Sequence, residues 1–284
     1  MNKTSPGTWQ KMGKQNIAMT EKLLREQELR CVAACSRFLK HSPSTGTVWI
    51  QQNKDKSINA LIVYSNKIVL PVFCGNSEIS EPLFLNGFLG TIPVHSMQGL
   101  HNDVIFLENY LSKCGLEAID KIDYDYMYID VSPKSENFFA GPTELILRNA
   151  QYNDFEEIAA LQAGYEQEEV LPRGAVFNPI ASRLNTEKIF AKEQLLVAEL
   201  GGKLVGKINT SAHSFTRIQI GGVYVIPGFR NMGIARRMTA EFVRMLIDQG
   251  RGVSLFVKKS NPAASSVYHN IGFNYLEDYR ICYY

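Results

Sequence analysis

No apolar run in this chain approaches the roughly 18 residues that a membrane-spanning helix needs. The opening MNKTSPGTWQKMGKQN also lacks the apolar core of a secretory signal. The expectation is a cytoplasmic chain without a membrane role. Cysteine is sparse and odd in number, at Cys31, Cys35, Cys74, Cys114 and Cys282. The step from Cys31 to Cys35 puts both on one helix face and does not make a CxxC knuckle. No metal site is expected, and these thiols read as small buried apolar groups in a reducing compartment. The formal charge of +2 is too small to argue for nucleic acid or an acidic membrane surface. The P-loop string GxxxxGK[ST] is absent, as is a GxGxxG turn early in a βαβ unit. No segment is of low complexity.

What is present is core material. Of 284 residues, 45% are hydrophobic and 20% charged, a globular balance sufficient for one large domain or two ordinary ones. Residues 16–40 repeat apolar positions near a 3.6 period and read as a helix that His41-Ser42-Pro43 ends. Strand-like runs follow at 47–51, 59–65 and 67–73, the last two joined by a tight turn at Ser65-Asn66. A further strand is expected at 91–95, a helix at 103–114 stopped by Gly115, and a half-buried strand at 117–130. The stretch VSPKSENFFAGPTE (131–144) breaks all periodicity. It suggests three parts: a smaller N-terminal α/β domain (1–132), a linker (133–143) and a C-terminal domain (144–284).

The C-terminal half reads as β-α-α-β-β-β-α-β-α-β. A strand at 144–150 leads to a helix capped by Asn153 or Asp154 and running to about Tyr165. An acidic stretch, QEEVLPRGA (167–175), separates it from a helix at 179–192. Strands at 195–200 and 203–212 form a hairpin through Gly201-Gly202. Then come a strand at 215–225, a helix at 234–249, a strand at 252–259, a short helix at 262–271 and a terminal strand at 274–284. Hairpins followed by a strand-helix-strand crossover imply an α/β protein of the α+β kind, with a mixed sheet and helices on both faces.

The most pointed stretch is VYVIPGFRNMGIARRM, from Val223 to Met238. A strand stops at Pro227-Gly228, and a positive turn with one glycine feeds a helix. A helix start carries unpartnered amides and the positive end of the macrodipole. With Gly233 allowing close approach, and Arg230, Arg236 and Arg237 nearby, a diphosphate fits the turn. A second account is that Gly233 only eases the turn and the arginines are solvated.

The pattern Arg-x-x-Gly-x-Ala, after an apolar strand and a proline, resembles the acetyl-CoA signature of the GNAT acetyltransferase superfamily over Gly221–Met238. NPAASSVYHNIGF (261–273) resembles the same family's Asn-x-x-Ala-x-x-x-Tyr-x-x-x-Gly-Phe segment, with Asn261, Ala264, Tyr268, Gly272 and Phe273 in register. The resemblance covers about 144–284, half the chain, and implies a GNAT-like acyl-CoA fold there. It further implies that the strand before the turn splays from its neighbour, so that the backbone of Val223, Tyr224 and Val225 meets pantetheine and the thioester. A bulge is expected at Gly221-Gly222. Arg230 and the amides of Asn231, Met232, Gly233, Ile234, Ala235 and Arg236 would hold the pyrophosphate of acetyl-CoA (coenzyme A). Asn261 would touch the cofactor or cap its helix, and Lys258 and Lys259 either meet the 3′-phosphate or are solvated. Tyr268 stands where relatives protonate the leaving thiolate.

The implied activity is N-acetyl transfer from acetyl-CoA to a primary amine, a small molecule or a peptide, by direct attack. The general base is missing from its usual place, since Gln219 stands where some relatives carry glutamate. Glu168, Glu169 and His213 are the other candidates for that role, and the acidic stretch suits a cationic acceptor. Two alternatives stay open: an acyl-CoA sensor without turnover, and transfer of another acyl group. The N-terminal half reads as a degenerate GNAT-like domain, because TIPVHSMQGLHND (91–103), where its turn should fall, has no Arg-x-x-Gly-x-Ala. The terminal RICYY strand is a candidate for pairing across a homodimer.

Overall fold

In the computed structural model, which describes residues 7–40, 46–74, 79–85 and 93–284, the hairpin turn expected at Ser65-Asn66 forms one residue later, at Asn66 and Lys67. Both take left-handed backbone, with φ of 52° and 64°, as a two-residue turn matched to strand twist requires. By contacts the chain divides into two units, residues 1–125 with 277–284, and residues 126–276. The division falls inside a strand, and residues 133–143, expected as a linker, belong to the second unit.

The first unit holds β1 (Thr8–Lys11), α1 (Ile17–Glu26), α2 (Val32–Leu39), β2 (Gly46–Gln52), β3 (Ile58–Ser65), β4 (Ile68–Phe73), β5 (Ser96–Leu100) and α3 (His101–Lys113). It also takes the first half of β6 (Asp120–Ile129) and the end of β12 (Asn274–Tyr283). The helix expected over 16–40 is broken at Gln27–Cys31 by a 3-10 turn. In one helix, residues 11 apart lie about 16 Å apart; the break folds the chain back, so Cys35 Sγ lies 3.5 Å from the Leu24 carbonyl oxygen. Both side chains are fully buried. Cys31 and Cys35 share a face as expected, Sγ to Sγ 3.6 Å.

The strand expected at 91–95 lies five residues later, as β5. Its residues 91–92, like the helix stop at 41–43, fall outside the described residues. Of the stretch 91–103, residues 96–100 form β5 and 101–103 begin α3. The RICYY strand pairs within the chain, Tyr279–Tyr283 lying antiparallel to Ser96–Leu100, which removes it as a free edge for a second copy.

The second unit comprises the end of β6, β7 (Ile146–Asn149), α4 (Phe155–Tyr165), α5 (Pro179–Lys192), β8 (Leu195–Leu200), β9 (Lys203–His213), β10 (Arg217–Val225), α6 (Ile234–Asp248), β11 (Gly252–Lys258) and α7 (Pro262–Ile271). Its sheet runs β6-β11-β10-β9-β8-β7. All steps from β7 to β10 are antiparallel, and β10–β11 is parallel. The first unit repeats this sense, antiparallel from β1 to β4 and parallel from β4 to β5. The strands of each unit are therefore mixed in sense, and the fold is α/β. The core of the second unit packs the apolar face of α6, with Met238, Phe242, Val243 and Leu246 fully buried, on Val205, Ile208, Val253 and Leu255. Among the described residues no helix is long and apolar enough to cross a membrane, and no three His, Cys, Asp or Glu residues are grouped to hold a metal ion.

Candidate active site

The site begins where two parallel strands part. β10 pairs with β11 only from Arg217 to Gln219, against Gly252 to Ser254. Beyond Gln219 the β11-facing edge of β10 is open, and unpaired backbone N–H and C=O groups are the natural seat for an extended amide chain. On the other side, β10 slips against β9: Gly221 lies opposite Asn209, but Tyr224 lies opposite Lys207. Three steps on one strand answer two on the other, a bulge at Gly222-Val223, one residue beyond the expected place. Gly222 has φ 62°.

A 3-10 turn, Pro227–Phe229, leads into Arg230-Asn231-Met232-Gly233. Asn231 and Gly233 are both left-handed, with φ of 62° and 79°, and α6 starts at Ile234. The glycine is needed twice over. Its φ disfavours any side chain, and a Cβ there would lie 2.8 Å from the Gly141 nitrogen. The stretch expected as a linker thus braces the turn. Arg236 Nε donates to Asn137 Oδ1 (2.7 Å), and an Arg237 amino group donates to the Pro142 carbonyl (3.0 Å). The α6 start presents its first amides and its dipole at the end of the open edge, which fits a diphosphate.

Between these features lies a cavity of about 300 Å³. Of the residues singled out in the sequence, Val223, Tyr224, Val225, Arg230, Asn231, Gly233, Ile234, Ala235, Arg236, Asn261 and Tyr268 line it together; Met232 does not and is 42% exposed. The wall opposite β10 is α7, through Ala263, Ala264, Val267 and Tyr268. Tyr268 is buried, and burial pushes its phenol well above the ordinary tyrosine range, with Tyr165 and Glu169 adding to the shift. It is therefore a proton holder at neutral pH.

Glu168 and Glu169 also line the cavity. They sit on one π-helical turn, Glu166–Val170, that continues α4 where a loop was expected. Their carboxylates are engaged. Glu168 accepts from Tyr224 Oη (2.8 Å) and from Arg230 (2.7 Å). Burial works to raise the Glu168 carboxyl, but the Arg230 and Tyr224 hydrogen bonds outweigh it and hold the group below the ordinary range. Glu169 accepts from Asn261 (3.1 Å) and lies 3.6 Å from Lys258 Nζ. Glu166 accepts from Gln162 and Asn185, each at 2.7 Å. These three carboxylates are thus tied to neighbouring side chains.

The remaining candidates separate. Arg230 also donates to the Val225 carbonyl (2.9 Å), which occupies one acceptor of the edge. Asn261 caps α7, its Oδ1 accepting from the Ala264 amide. Lys259 lies over the Tyr275 ring at 5.9 Å. Gln219 is buried, 3.3 Å from Ser211 Oγ. His213 does not line the cavity; at the far end of β9 its Nε2 meets Glu193 Oε2 at 2.7 Å.

Sequence reasoning missed Lys207. It is fully buried on β9, and its amine is pushed from an ordinary 10.5 down to about 7 by burial, partly opposed by Glu166. The available signal was one charge inside the otherwise apolar strand run LVGKI (204–208).

Residues 157–273 match the model of the acetyltransferase (GNAT) family. No curated protein matches the chain. Solved structures do. A Drosophila protein superposes with TM-score 0.64 at 12% identity, over 98% of this chain and 99% of its own. A tandem GNAT protein from the clavulanic acid biosynthesis pathway gives 0.59 at 10%, over 97% of each chain. A GCN5-related N-acetyltransferase from Sphaerobacter thermophilus gives 0.58 at 15%, over 97% of this chain and 94% of its own. At these identities the likeness is one of fold.

Proposed function

We propose that residues 157–273, a GNAT-family acetyltransferase domain, transfer acetyl from acetyl-CoA to a primary amine by direct attack. The observation that carries this reading is the pairing of two features on one cavity: the open β10 edge past Gln219 and the left-handed turn into α6. When bound, acetyl-CoA supplies the acyl group. Val223, Tyr224 and Val225 line the extended pantetheine portion, with Val223 and the Val225 amide as the backbone hydrogen-bonding groups of the open edge. The amides from Gly233 to Arg236 hold the diphosphate. Tyr268 keeps a proton on its Oη at neutral pH and donates it to the departing thiolate. Asn261 and Arg230 act one step back, by fixing Glu169 and Glu168 on the cavity wall.

Neither Glu168 nor Gln219 suits the role of general base. Glu168 is held low by its two donors, and Gln219 cannot take a proton. The acceptor therefore enters as the free amine or loses its proton to water, and turnover is expected to rise with pH on the acid side. The same two facts favour a second reading, an acyl-CoA sensor without turnover. Incubation with acetyl-CoA and a panel of amines, following thiol release, separates the two. Release on one or more amines supports the enzyme. Tight acetyl-CoA binding without release on any amine supports the sensor, and absence of binding sinks both. Succinyl- and longer acyl-CoAs in the same assay test the choice of acyl group. The first unit, which shares the strand sense of the second, is proposed to be a degenerate copy of the same fold.

A further inference from the structure

Lys207 has no place in the chemistry above, yet it is fully buried on the strand beside β10. Its Nζ donates to Asn209 Oδ1 (2.9 Å) and to the Gly222 carbonyl (3.0 Å). The ammonium lies 5.1 Å from the centre of the Tyr165 ring. Glu166 is the carboxylate that acts on it, from the end of α4. A buried lysine is a costly choice for a strand, since an apolar side chain of similar volume packs the same space without desolvating an amine. The position therefore calls for a use beyond filling volume.

That use is visible in the bulge. Gly222 has no ladder partner on β9, because the register passes from Gly221–Asn209 directly to Tyr224–Lys207. Its carbonyl takes the Lys207 amine instead. A Cβ on Gly222 would collide with both Lys207 Nζ and Asn209 Oδ1, so the Lys-Asn pair and the left-handed glycine are one construction. The next residue, Val223, is the first on β10 to line the cavity.

We propose that Lys207 is a positioning residue of the acyl-transfer site: by donating to the Gly222 carbonyl it fixes the bulge that turns the Val223–Val225 backbone toward the cavity, and so sets where the acyl carbonyl is held. This rests on the acyl-transfer reading given above. Lys207 touches neither donor nor acceptor and acts through Gly222. The state of its amine enters as well. Near pH 7 it passes between an ammonium with three donors and an amine with two. Two oxygens, Asn209 Oδ1 and Gly222 O, are placed to receive them, and the third direction meets the Tyr165 ring.

The test compares wild-type protein with Lys207→Met and Asn209→Asp, using acetyl-CoA and the best amine of the panel, with CoA binding measured by calorimetry. Most of the grip on CoA lies at the turn into α6. Lys207→Met is thus expected to bind CoA within threefold of wild type while kcat falls at least tenfold. An ionisation near pH 7 in the kcat profile of the wild type should vanish in Lys207→Met. In Asn209→Asp it should move to higher pH, because a carboxylate beside the amine favours the charged form. Turnover by Lys207→Met within threefold of wild type, or equal losses in kcat and CoA affinity, would overturn the inference. So would an unmoved pH profile in both variants. Wild-type protein that binds no CoA, or binds it without turnover on any amine, would instead overturn the acyl-transfer reading, and this inference with it.

Discussion

Lys207→Met is also expected to change how the stability of the second unit depends on pH, and this can be worked out without reference to activity. Burial takes the Lys207 amine from 10.5 to about 7 in the folded chain. Between those values the unfolded chain carries a proton on this lysine that the folded chain does not. Raising the pH through the window therefore favours folding. The penalty of burying the lysine is fully present below pH 7 and gone above about pH 10.5. It is about 4 kcal/mol at pH 7 and about 2 kcal/mol at pH 9. Methionine removes the penalty but leaves Asn209 Oδ1 and the Gly222 carbonyl without a donor, at a cost of about 1–3 kcal/mol each. These terms nearly cancel at neutral pH, so the sign of the difference at one pH decides little. Its change with pH decides: the stability of Lys207→Met relative to wild type should fall by about 2 kcal/mol between pH 7 and pH 9. Urea unfolding followed by far-ultraviolet circular dichroism is the assay. Fluorescence is the wrong probe, because both tryptophans, Trp9 and Trp49, lie in the first unit. A difference that stays flat over those two pH units would refute the depressed amine and the reasoning built on it.

Three further outcomes are expected. Tyr268→Phe should lower kcat by about a hundredfold or more, the usual scale for losing a general acid, with acetyl-CoA affinity unchanged by calorimetry; retained turnover would remove the tyrosine from the chemistry. Gly233→Ala should weaken acetyl-CoA binding at least tenfold, because the left-handed backbone costs about 1–2 kcal/mol and the added Cβ meets Gly141; unchanged affinity would sink the anion site. With a thiol reagent near pH 8, native protein should show one fast thiol, the exposed Cys114. Cys74, pushed up to about 11 by burial, should lag. Cys282, pushed up to about 12 by burial, and Cys31, raised by its hydrogen bond to Cys35, should wait for unfolding.

Much of the second unit was legible because its signals are local. Helix α5 (Pro179–Lys192) and helix α7 (Pro262–Ile271) begin at Asn-Pro pairs, in which asparagine caps and proline opens the first turn. The turn into α6 was marked by Gly233 and the arginines around it. The first unit was harder to read for a stated reason. The break between α1 and α2 follows from a tertiary fold-back that no period of 3.6 encodes, and β5 was misplaced by five residues within a stretch of short runs. The course of the terminal strand is likewise non-local: Tyr279–Tyr283 pair with Ser96–Leu100, some 180 residues earlier.

The acidic stretch and Lys207 show where sequence reading of a site stops. The sequence shows the charges of Glu166, Glu168 and Glu169 without their partners. In the structure Glu168 closes on Arg230 and Tyr224, and Glu169 on Asn261 and Lys258, so the same residues hold the cavity wall in shape. Two of those partners, Arg230 and Asn261, had themselves been read as cofactor contacts. Each such pair leaves fewer free side-chain groups at the cavity than the sequence counts, so the proposed anion site rests on the backbone amides at the start of α6. An anion held by amides depends on the path of the backbone. That path is set by Gly233 against Gly141 at one end of the cavity and by Gly222 against Lys207 and Asn209 at the other.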